Sequence, residues 1–298
     1  MSLEHPRGAS WDEVRRQDHL WLPLRDDETL AQLHWHSHGL RSTSSQVFCI
    51  NAFWGLARLA VCDDVLNQVF AQAFPATARP AGKWKVEVEK EDRTLLGEGG
   101  RQQPTSVDAF CATSSAVVCI ESKFDRDGRD GFGSCSQLAA TKRRPAQCRG
   151  FYGPESDVAH THAWCRLEDW DNSRGPRLYW ALAKSYFETG VFEQQSQGGE
   201  CPFGNSNFQL MRNFLFAATH ARKHHLADFG VLVICPEKRK DNLEGQIQAF
   251  RKLLLHDFQD HIALVTYEDY ISTLRASGDE AQPLARFLAT RINDEIQD

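Results

Sequence analysis

The sequence predicts an α/β fold in which a mixed central sheet is flanked by helices. One observation is that short apolar runs with the two-residue period of strands alternate with segments whose apolar residues recur every three or four positions. A second is that the apolar run 229–234 has no polar alternation, which is typical of a strand covered on both faces. Helices and strands that alternate in this way pack as a sheet with helices on its faces.

Length and charge limit how the chain can be organised. Its 298 residues, 41% of them hydrophobic, are enough for a sizeable core. We predict an N-terminal extension over 1–40 and one large domain over 41–298, with an insertion at about 125–205. The net charge of −6 argues against a surface that is basic all over. It allows a local basic groove at the clusters 142–144, 222–225 and 238–240, for which solvated loops are the alternative.

Composition also indicates the cellular setting. No stretch approaches about 18 consecutive apolar residues, and the N-terminus lacks the apolar core of a signal peptide. We therefore expect a cytoplasmic protein that does not bind a membrane. Disulfides are disfavoured there, so the nine cysteines are predicted to be buried thiols or metal ligands. Five lie in apolar helix or strand patterns and are predicted to be core residues: Cys49, Cys62, Cys111, Cys119 and Cys235.

The first forty residues are polar and poorly periodic, with one short helix predicted over 11–16. Near their end, His34, His36 and His38 occupy alternate positions. On an extended segment these histidines would share one face and suggest a metal site, although no acid or cysteine is spaced to complete it.

The segment 44–74 predicts one long helix or two consecutive helices, because its apolar residues recur at helical spacing. Ser44 or Ser45 is the expected N-cap. Gln46 and Asn51 are polar positions inside the apolar pattern, and a polar pair on the exposed helix face is one explanation for them.

The next strand is predicted over 84–89 by its alternating pattern, and a glycine-rich loop over 96–100 follows it. Glu98 in this loop lies ten residues before Asp108. Its carboxylate either reaches the same site as Asp108 or belongs to a solvated turn.

A β-hairpin is predicted over 105–124, because two apolar runs flank a short Thr-Ser-Ser segment. Asp108 begins the first run, and Glu121, Ser122 and Lys123 end the second. The two acids should therefore lie near each other on paired strands. Because side chains alternate along a strand, Glu121 and Lys123 should share one face while Ser122 points to the other.

This cluster suits metal-assisted hydrolysis of a phosphodiester. The carboxylates of Asp108 and Glu121 are ligands for Mg²⁺ or Mn²⁺, and the backbone carbonyl of Ser122 can complete the set. Lys123 can orient or deprotonate the attacking water and offset the charge that develops on the phosphate. The alternative is a solvated Glu–Lys pair at a strand end, with Asp108 in a turn.

Beyond the insertion, the patterns predict helices over 208–222, 242–256 and 283–296, and strands over 229–234 and 262–266. In the first of these helices Gln209, Arg212 and Asn213 fall on one side. The planar guanidinium of Arg212 would suit a phosphate. A polar outer face is the alternative for all three.

Taken in order, these pieces resemble the PD-(D/E)xK nuclease superfamily and, within it, a bacterial group of restriction-endonuclease-like proteins. The pieces are Ser44-Ser45-Gln46, Pro104-Thr105-Ser106-Val107-Asp108, Ile120-Glu121-Ser122-Lys123-Phe124, Cys201-Pro202-Phe203 and Gln209-Leu210-Met211-Arg212-Asn213. The resemblance implies a restriction-endonuclease-like fold, Mg²⁺ or Mn²⁺ as cofactor, and DNA as the nucleic acid that is cut.

The same resemblance implies roles for individual residues. Asp108 and Glu121 would bind the metal, Lys123 would be the catalytic amine, and Gln209 would contact the metal site or its water. In this superfamily the first helix often directs a Glu at the site, and Gln46 stands there instead. A catalytically inactive module that binds nucleic acid or protein is therefore the alternative function. We also consider a homodimer.

The insertion contains four cysteines, Cys135, Cys148, Cys165 and Cys201, whose spacing matches no zinc ribbon. Certain nucleases of the resembled fold hold a [4Fe–4S] cluster with four cysteines, and Cys201-Pro202 is similar to the last ligand of some iron–sulfur sites. A Zn²⁺ or [4Fe–4S] site and unpaired buried thiols are the two alternatives.

Overall fold

The computed structural model describes residues 8–76, 82–98, 104–124, 131–133, 135, 177–191, 201–204 and 206–297. The helices are α1 (Trp11–Val14), α2 (Glu28–Ala31), α3 (Ser45–Cys49), α4 (Cys62–Ala73), α5 (Tyr179–Ala183), α6 (Phe208–Lys223), α7 (Lys240–Arg251), α8 (Tyr267–Ala276) and α9 (Gln282–Gln297). The strands are β1 (Lys85–Glu91), β2 (Ser106–Ala112), β3 (Ala116–Ser122), β4 (Asp228–Cys235) and β5 (Ile262–Thr266). A π-helical turn, Ile50–Trp54, continues α3.

The strands form one mixed sheet whose spatial order follows the chain, β1-β2-β3-β4-β5. β1, β2 and β3 pair antiparallel, whereas β3, β4 and β5 pair parallel. Helices α6 and α7 lie in the two parallel crossovers, because parallel neighbours cannot be joined by a tight turn. The prediction of a mixed sheet flanked by helices is confirmed.

Both faces of the sheet are covered by helices. From the central strand β3, Val118 and Ile120 enter the core built with α3, α4, α8 and α9. Val117 and Cys119 enter the second core, which is built with α5, α6 and α7. Every residue of β3 is buried, so the polar residues at its end must find partners inside the protein.

Several local predictions are confirmed. Ser44 caps α3, with its hydroxyl accepting the Val47 N–H at 3.3 Å. The segment 44–74 forms two helices rather than one. The predicted hairpin is the pair β2–β3, with Ala109 opposite Ile120. The five cysteines predicted to be core residues are all buried.

Helix α8 follows β5 directly and was not predicted, although its apolar residues have helical spacing. Its buried residues are Tyr267, Tyr270, Ile271, Thr273 and Leu274. Thr266 caps the helix, because its hydroxyl accepts the Asp269 N–H at 3.1 Å. The helix places the Tyr267 hydroxyl 2.7 Å from Ser122 Oγ, beneath the end of β3.

The N-terminal segment packs on the core beside α3. Its apolar residues Val14, Leu20, Leu24, Leu30 and Trp35 are buried in the same cluster as that helix. Asn51 is buried too, because its Oδ1 accepts the Trp21 N–H at 2.8 Å and its Nδ2 donates to the His19 carbonyl at 2.7 Å. The exposed-face explanation is therefore wrong for Asn51. The boundary at residue 40 stays a prediction.

Most of the predicted insertion, including Cys148 and Cys165, lies outside the described residues. In the part of the chain that the structure does describe, we find no helix with the length and hydropathy needed to cross a membrane.

Candidate active site

One cavity of about 250 Å³ lies beside the C-terminal end of β3. It is lined by residues from the N-terminal segment, the start of α3, the β2–β3 hairpin, the start of α6 and the start of α7. These residues are His36, Ser45, Gln46, Asp108, Glu121, Ser122, Lys123, Phe124, Gln209 and Arg239. The cavity therefore brings together chain segments that are distant in sequence.

The hairpin register brings Asp108 next to the end of β3. Ala109 pairs with Ile120, so Asp108 and Glu121 are the next residues outward on the two strands. Asp108 Oδ2 accepts the Ser122 N–H at 2.7 Å. The Ser122 side chain points to the opposite face, toward Tyr267, as the strand alternation predicted.

Lys123 lies on the same face as Glu121. Its Nζ is 2.9 Å from Glu121 Oε1 and donates to Gln209 Oε1 at 2.7 Å. The ammonium also lies 5.3 Å from the centroid of the Phe132 ring. Only 15% of the Lys123 side chain and 2% of the Glu121 side chain are exposed, so this is not a solvated pair at a strand end.

Asn213 completes the surroundings of Glu121. Its Nδ2 donates to Glu121 Oε2 at 2.6 Å, while Lys123 occupies the other carboxylate oxygen. Gln209 and Asn213 are one helical turn apart on α6, so one face of this helix holds both Lys123 and Glu121. Asn213 is 1% exposed, which excludes the polar outer face for this residue.

Glu89 on β1 is a third carboxylate that the sequence analysis did not identify. The β1–β2 register places it across from Asp108, between the pairs Val88–Ala109 and Lys90–Val107. Its φ of 50° is in the left-handed region, which a non-glycine residue rarely adopts inside a strand. The pKa of Glu89 is raised to about 7, chiefly by burial and also by the charge of Glu121, while the hydrogen bonds from Gln46 and Ser106 act in the opposite direction.

Both neighbouring acids affect the pKa of Asp108. Removal of its carboxyl from water raises its pKa well above the ordinary value, and the charges of Glu121 and Glu89 raise it further. The hydrogen bond from the Ser122 N–H and the charge of Lys123 act in the opposite direction. The three acids thus outweigh the one lysine, and a cation would relieve their repulsion.

The donor set suits a hard cation such as Mg²⁺ or Mn²⁺, because it consists of carboxylate and carbonyl oxygens. The Ser122 carbonyl accepts the Ser45 hydroxyl at 2.6 Å, so a metal at that carbonyl would share it with Ser45. No three His, Cys, Asp or Glu side chains within the described ranges are grouped closely enough to hold an ion by themselves. An ion bound here would need backbone and water ligands, which Mg²⁺ commonly keeps.

Gln46 is buried at the cavity wall, so the exposed-face explanation is wrong for it as well. Its Oε1 accepts the His36 N–H at 3.0 Å, and its Nε2 donates to the His34 carbonyl at 3.0 Å. In the helix where the superfamily often has an acid, this amide therefore binds the backbone on both sides of Trp35.

Comparison with family models gives one match, over residues 11–291, described as "Restriction Endonuclease associating with ARP". The chain belongs to this family. Neither the curated proteins nor the solved structures include a significant match. Membership of a restriction endonuclease family agrees with the mixed five-stranded sheet and with the resemblance drawn from the motifs.

In this restriction endonuclease family member, Glu98 and Arg212 are not among the residues that line the cavity, and they contact each other. Glu98 Oε1 is 3.5 Å from Arg212 Nη2, and its carboxylate also accepts hydrogen bonds from the Thr105 N–H, the Thr105 hydroxyl and the Tyr179 hydroxyl. Arg212 Nε donates to Thr105 Oγ1 at 2.9 Å. Glu98 is 1% exposed, so the solvated turn is wrong for it.

Of the four insertion cysteines, the structure describes two. Cys135 is buried, and its N–H donates at 2.8 Å to the carbonyl of Gly204. Gly204 lies three residues after Cys201 in the sequence. The cysteine cluster with Zn²⁺ or iron and sulfur stays a prediction, because its other two members lie outside the described residues.

Two basic side chains at the cavity were not predicted as site residues. Arg239 at the start of α7 belongs to the basic cluster 238–240, and His36 belongs to the alternating histidines. The basic clusters and the histidines were visible in the sequence. What was missing was any indication that their segments fold against the β2–β3 hairpin.

Proposed function

We propose that this chain is a divalent-metal-dependent nuclease of the PD-(D/E)xK type that hydrolyses phosphodiester bonds in DNA. The observation that carries the proposal is that Asp108, Glu121, Lys123 and Gln209 line one cavity at the end of a buried strand. Membership of a restriction endonuclease family supports the same activity. In the reaction, a water oxygen bonds to phosphorus while the bond to the departing sugar oxygen breaks.

Asp108, Glu121 and the Ser122 carbonyl are the groups that would hold Mg²⁺ or Mn²⁺. The ion, when bound, would supply a polarised water and neutralise charge on the phosphate. Asn213 fixes Glu121 by its hydrogen bond, so the carboxylate does not have to be ordered when the ion arrives.

Lys123 would act on the water or on a phosphate oxygen. Glu121 forms an ion pair with its ammonium and Gln209 accepts one of its hydrogens, which fixes the side chain and leaves the ammonium able to donate to the substrate. The positive charge is then held where negative charge develops during hydrolysis. Gln209 is in this scheme a positioning residue for Lys123.

The direct test is cleavage of plasmid and labelled duplex DNA with Mg²⁺ or Mn²⁺. We expect Asp108→Asn and Lys123→Ala to lose at least about a hundredfold in rate, since each removes a charged group from the reacting centre. Lys85→Ala is the matched control, because that side chain is 77% exposed on β1. Cleavage by Lys123→Ala at the wild-type rate would remove Lys123 from its role.

The second candidate is an inactive nuclease-fold module that binds nucleic acid or protein. It is favoured by Gln46, which binds backbone groups and supplies no carboxylate where an acid is common in the superfamily. Titration calorimetry with Mn²⁺ separates the two candidates. Binding that is lost in Asp108→Asn supports the nuclease, and absence of any binding in the wild type favours the inactive module.

A further inference from the structure

We infer that His36 contacts the phosphodiester backbone of DNA in the cavity, and that Gln46 and Glu89 hold it there. This inference rests on the proposed nuclease function and adds a substrate-binding residue to it. It gives a role to one of the three alternating histidines and to the glutamine that replaces the expected acid.

The first support is the way in which the backbone of His36 is fixed. Gln46 uses both ends of its amide on this segment, accepting from the His36 N–H and donating to the His34 carbonyl, each at 3.0 Å. Between them, Trp35 is 2% exposed and its indole donates to the Leu30 carbonyl at 3.0 Å. The backbone of His36 is therefore held on its N-terminal side by contacts with the buried residues Gln46 and Trp35.

The second support is the surroundings of the imidazole. His36 lines the cavity together with Asp108, Glu121 and Lys123, yet 47% of its side chain is exposed. Its Nε2 is 4.0 Å from Glu89 Oε2, a carboxylate whose side chain is only 12% exposed. At this distance the carboxylate acts on the imidazole through its charge and not through a hydrogen bond.

The third support is chemical. A phosphodiester in the cavity would need hydrogen-bond donors, because the acids at the metal site repel it. Lys123 is paired with Glu121 and donates to Gln209, so it can supply only part of the donors that a phosphate with several oxygens needs. An imidazole N–H is a suitable donor for a phosphate oxygen, and a charged acceptor makes such a bond stronger than a neutral one. His36 is therefore placed to contact the substrate, which the buried Gln46 cannot do.

The test compares three variants with the wild type for cleavage in Mg²⁺ and for duplex DNA binding with Ca²⁺ in place of Mg²⁺. We expect His36→Ala to lose about tenfold to a hundredfold in kcat/KM, mainly through KM, as for a lost hydrogen bond to a charged group. His36→Gln retains a donor and should lose less. His256→Ala is the matched control, because 96% of the His256 side chain is exposed and His256 lies outside the cavity lining.

The positioning role of Gln46 is tested by a double-variant cycle. Gln46→Leu should reproduce the KM increase of His36→Ala, and the double variant should lose no more than His36→Ala alone. If Gln46→Leu does not fold, Gln46→Glu keeps the acceptor for the His36 N–H and should give a smaller KM increase. Additive losses in the cycle would overturn the role of Gln46.

Three results would overturn the contact with His36. The first is that His36→Ala cleaves and binds DNA as the wild type does, while Lys123→Ala is inactive; the proposed function then stands without this inference. The second is that the wild type neither cleaves nor binds DNA, which removes both. The third arises if the wild type binds DNA without cleaving it, in which case the catalytic proposal fails and only binding tests the contact. Weaker binding by His36→Ala than by His256→Ala then supports the contact, and equal binding overturns it.

Discussion

Asn213 Nδ2 donates to Glu121 Oε2 at 2.6 Å and thereby ties helix α6 to the end of the central strand β3. The two residues are 1% exposed, so neither has water as a substitute partner. Since Lys123 occupies the other oxygen of the carboxylate, the orientation of Glu121 is set before any ligand binds.

Asn213→Leu should therefore weaken metal binding without abolishing it. Loss of a residue that orients a metal ligand commonly reduces affinity by about tenfold to a hundredfold. Calorimetric titration with Mn²⁺ measures the change, and Asn293→Leu on the exposed side of α9 is the control. An unchanged Mn²⁺ affinity in a folded Asn213→Leu protein would contradict this role.

Arg212→Met should destabilise the fold, because it leaves the buried carboxylate of Glu98 without its cation. Removing one partner of a buried ion pair costs about 3 kcal/mol or more in the free energy of unfolding. Burial raises the pKa of Tyr179 to about 12, so its hydroxyl stays protonated and still donates a hydrogen bond to Glu98 in the variant. Urea denaturation measures the loss, and the double variant Glu98→Gln with Arg212→Met should recover part of it.

Lys223→Met is the control for this prediction, because Lys223 lies on the same helix and its 3.6 Å pair with Asp92 is partly exposed. We expect a change of less than about 1 kcal/mol there. Equal effects of Arg212→Met and Lys223→Met would show that the Glu98 cluster does not depend on the arginine.

His220 should make the protein sensitive to acid. Its pKa is lowered from 6.5 to about 4, chiefly by burial and also by the charges of His224, Lys90 and Lys223, while the charge of Asp92 acts in the opposite direction. Its Nδ1 is buried without a hydrogen-bond partner among the described residues. Because the folded pKa lies below the unfolded one, the unfolded chain binds the proton first, and stability falls as pH drops from about 6.5 toward 4.

His220→Leu should therefore lose less stability than the wild type between pH 7 and pH 5. We expect the pH-dependent losses of the two proteins in unfolding free energy to differ by about 1 kcal/mol. This is roughly half of what the pKa shift of His220 alone would give, because the ring is partly exposed. Urea denaturation at several pH values measures it, with His256→Gln as the control because His256 is 96% exposed. Parallel pH profiles for the wild type and His220→Leu would contradict the prediction.

Much of the hairpin could be predicted because its information is local. Strand alternation decides that Glu121 and Lys123 share a face, and a short turn between two apolar runs decides that Asp108 returns beside Glu121. The lengths and positions of α6, β4 and β5 likewise follow from apolar periodicity. Gln209 was found through the resemblance to a nuclease superfamily.

Glu89, Asn213 and Arg239 could not be assigned to the site in the same way. The position of Glu89 beside Asp108 depends on the register between β1 and β2 and on a left-handed backbone conformation that no sequence pattern predicts. The position of Arg239 at the cavity depends on where the chain turns into α7 after β4. Asn213 was visible on the correct side of its helix, but its burial against Glu121 follows from the packing of α6 on the sheet.

The sequence by itself determined the order of the strands, several of the helices and the meeting of Asp108, Glu121 and Lys123, since these follow from apolar periodicity and from strand alternation. The tertiary structure decided which distant polar groups meet them. Gln46 binds the backbone around Trp35, and Glu98 pairs with Arg212 rather than joining Asp108. The physical reason is that a buried polar group takes whichever partner the packing of remote segments brings within hydrogen-bonding distance.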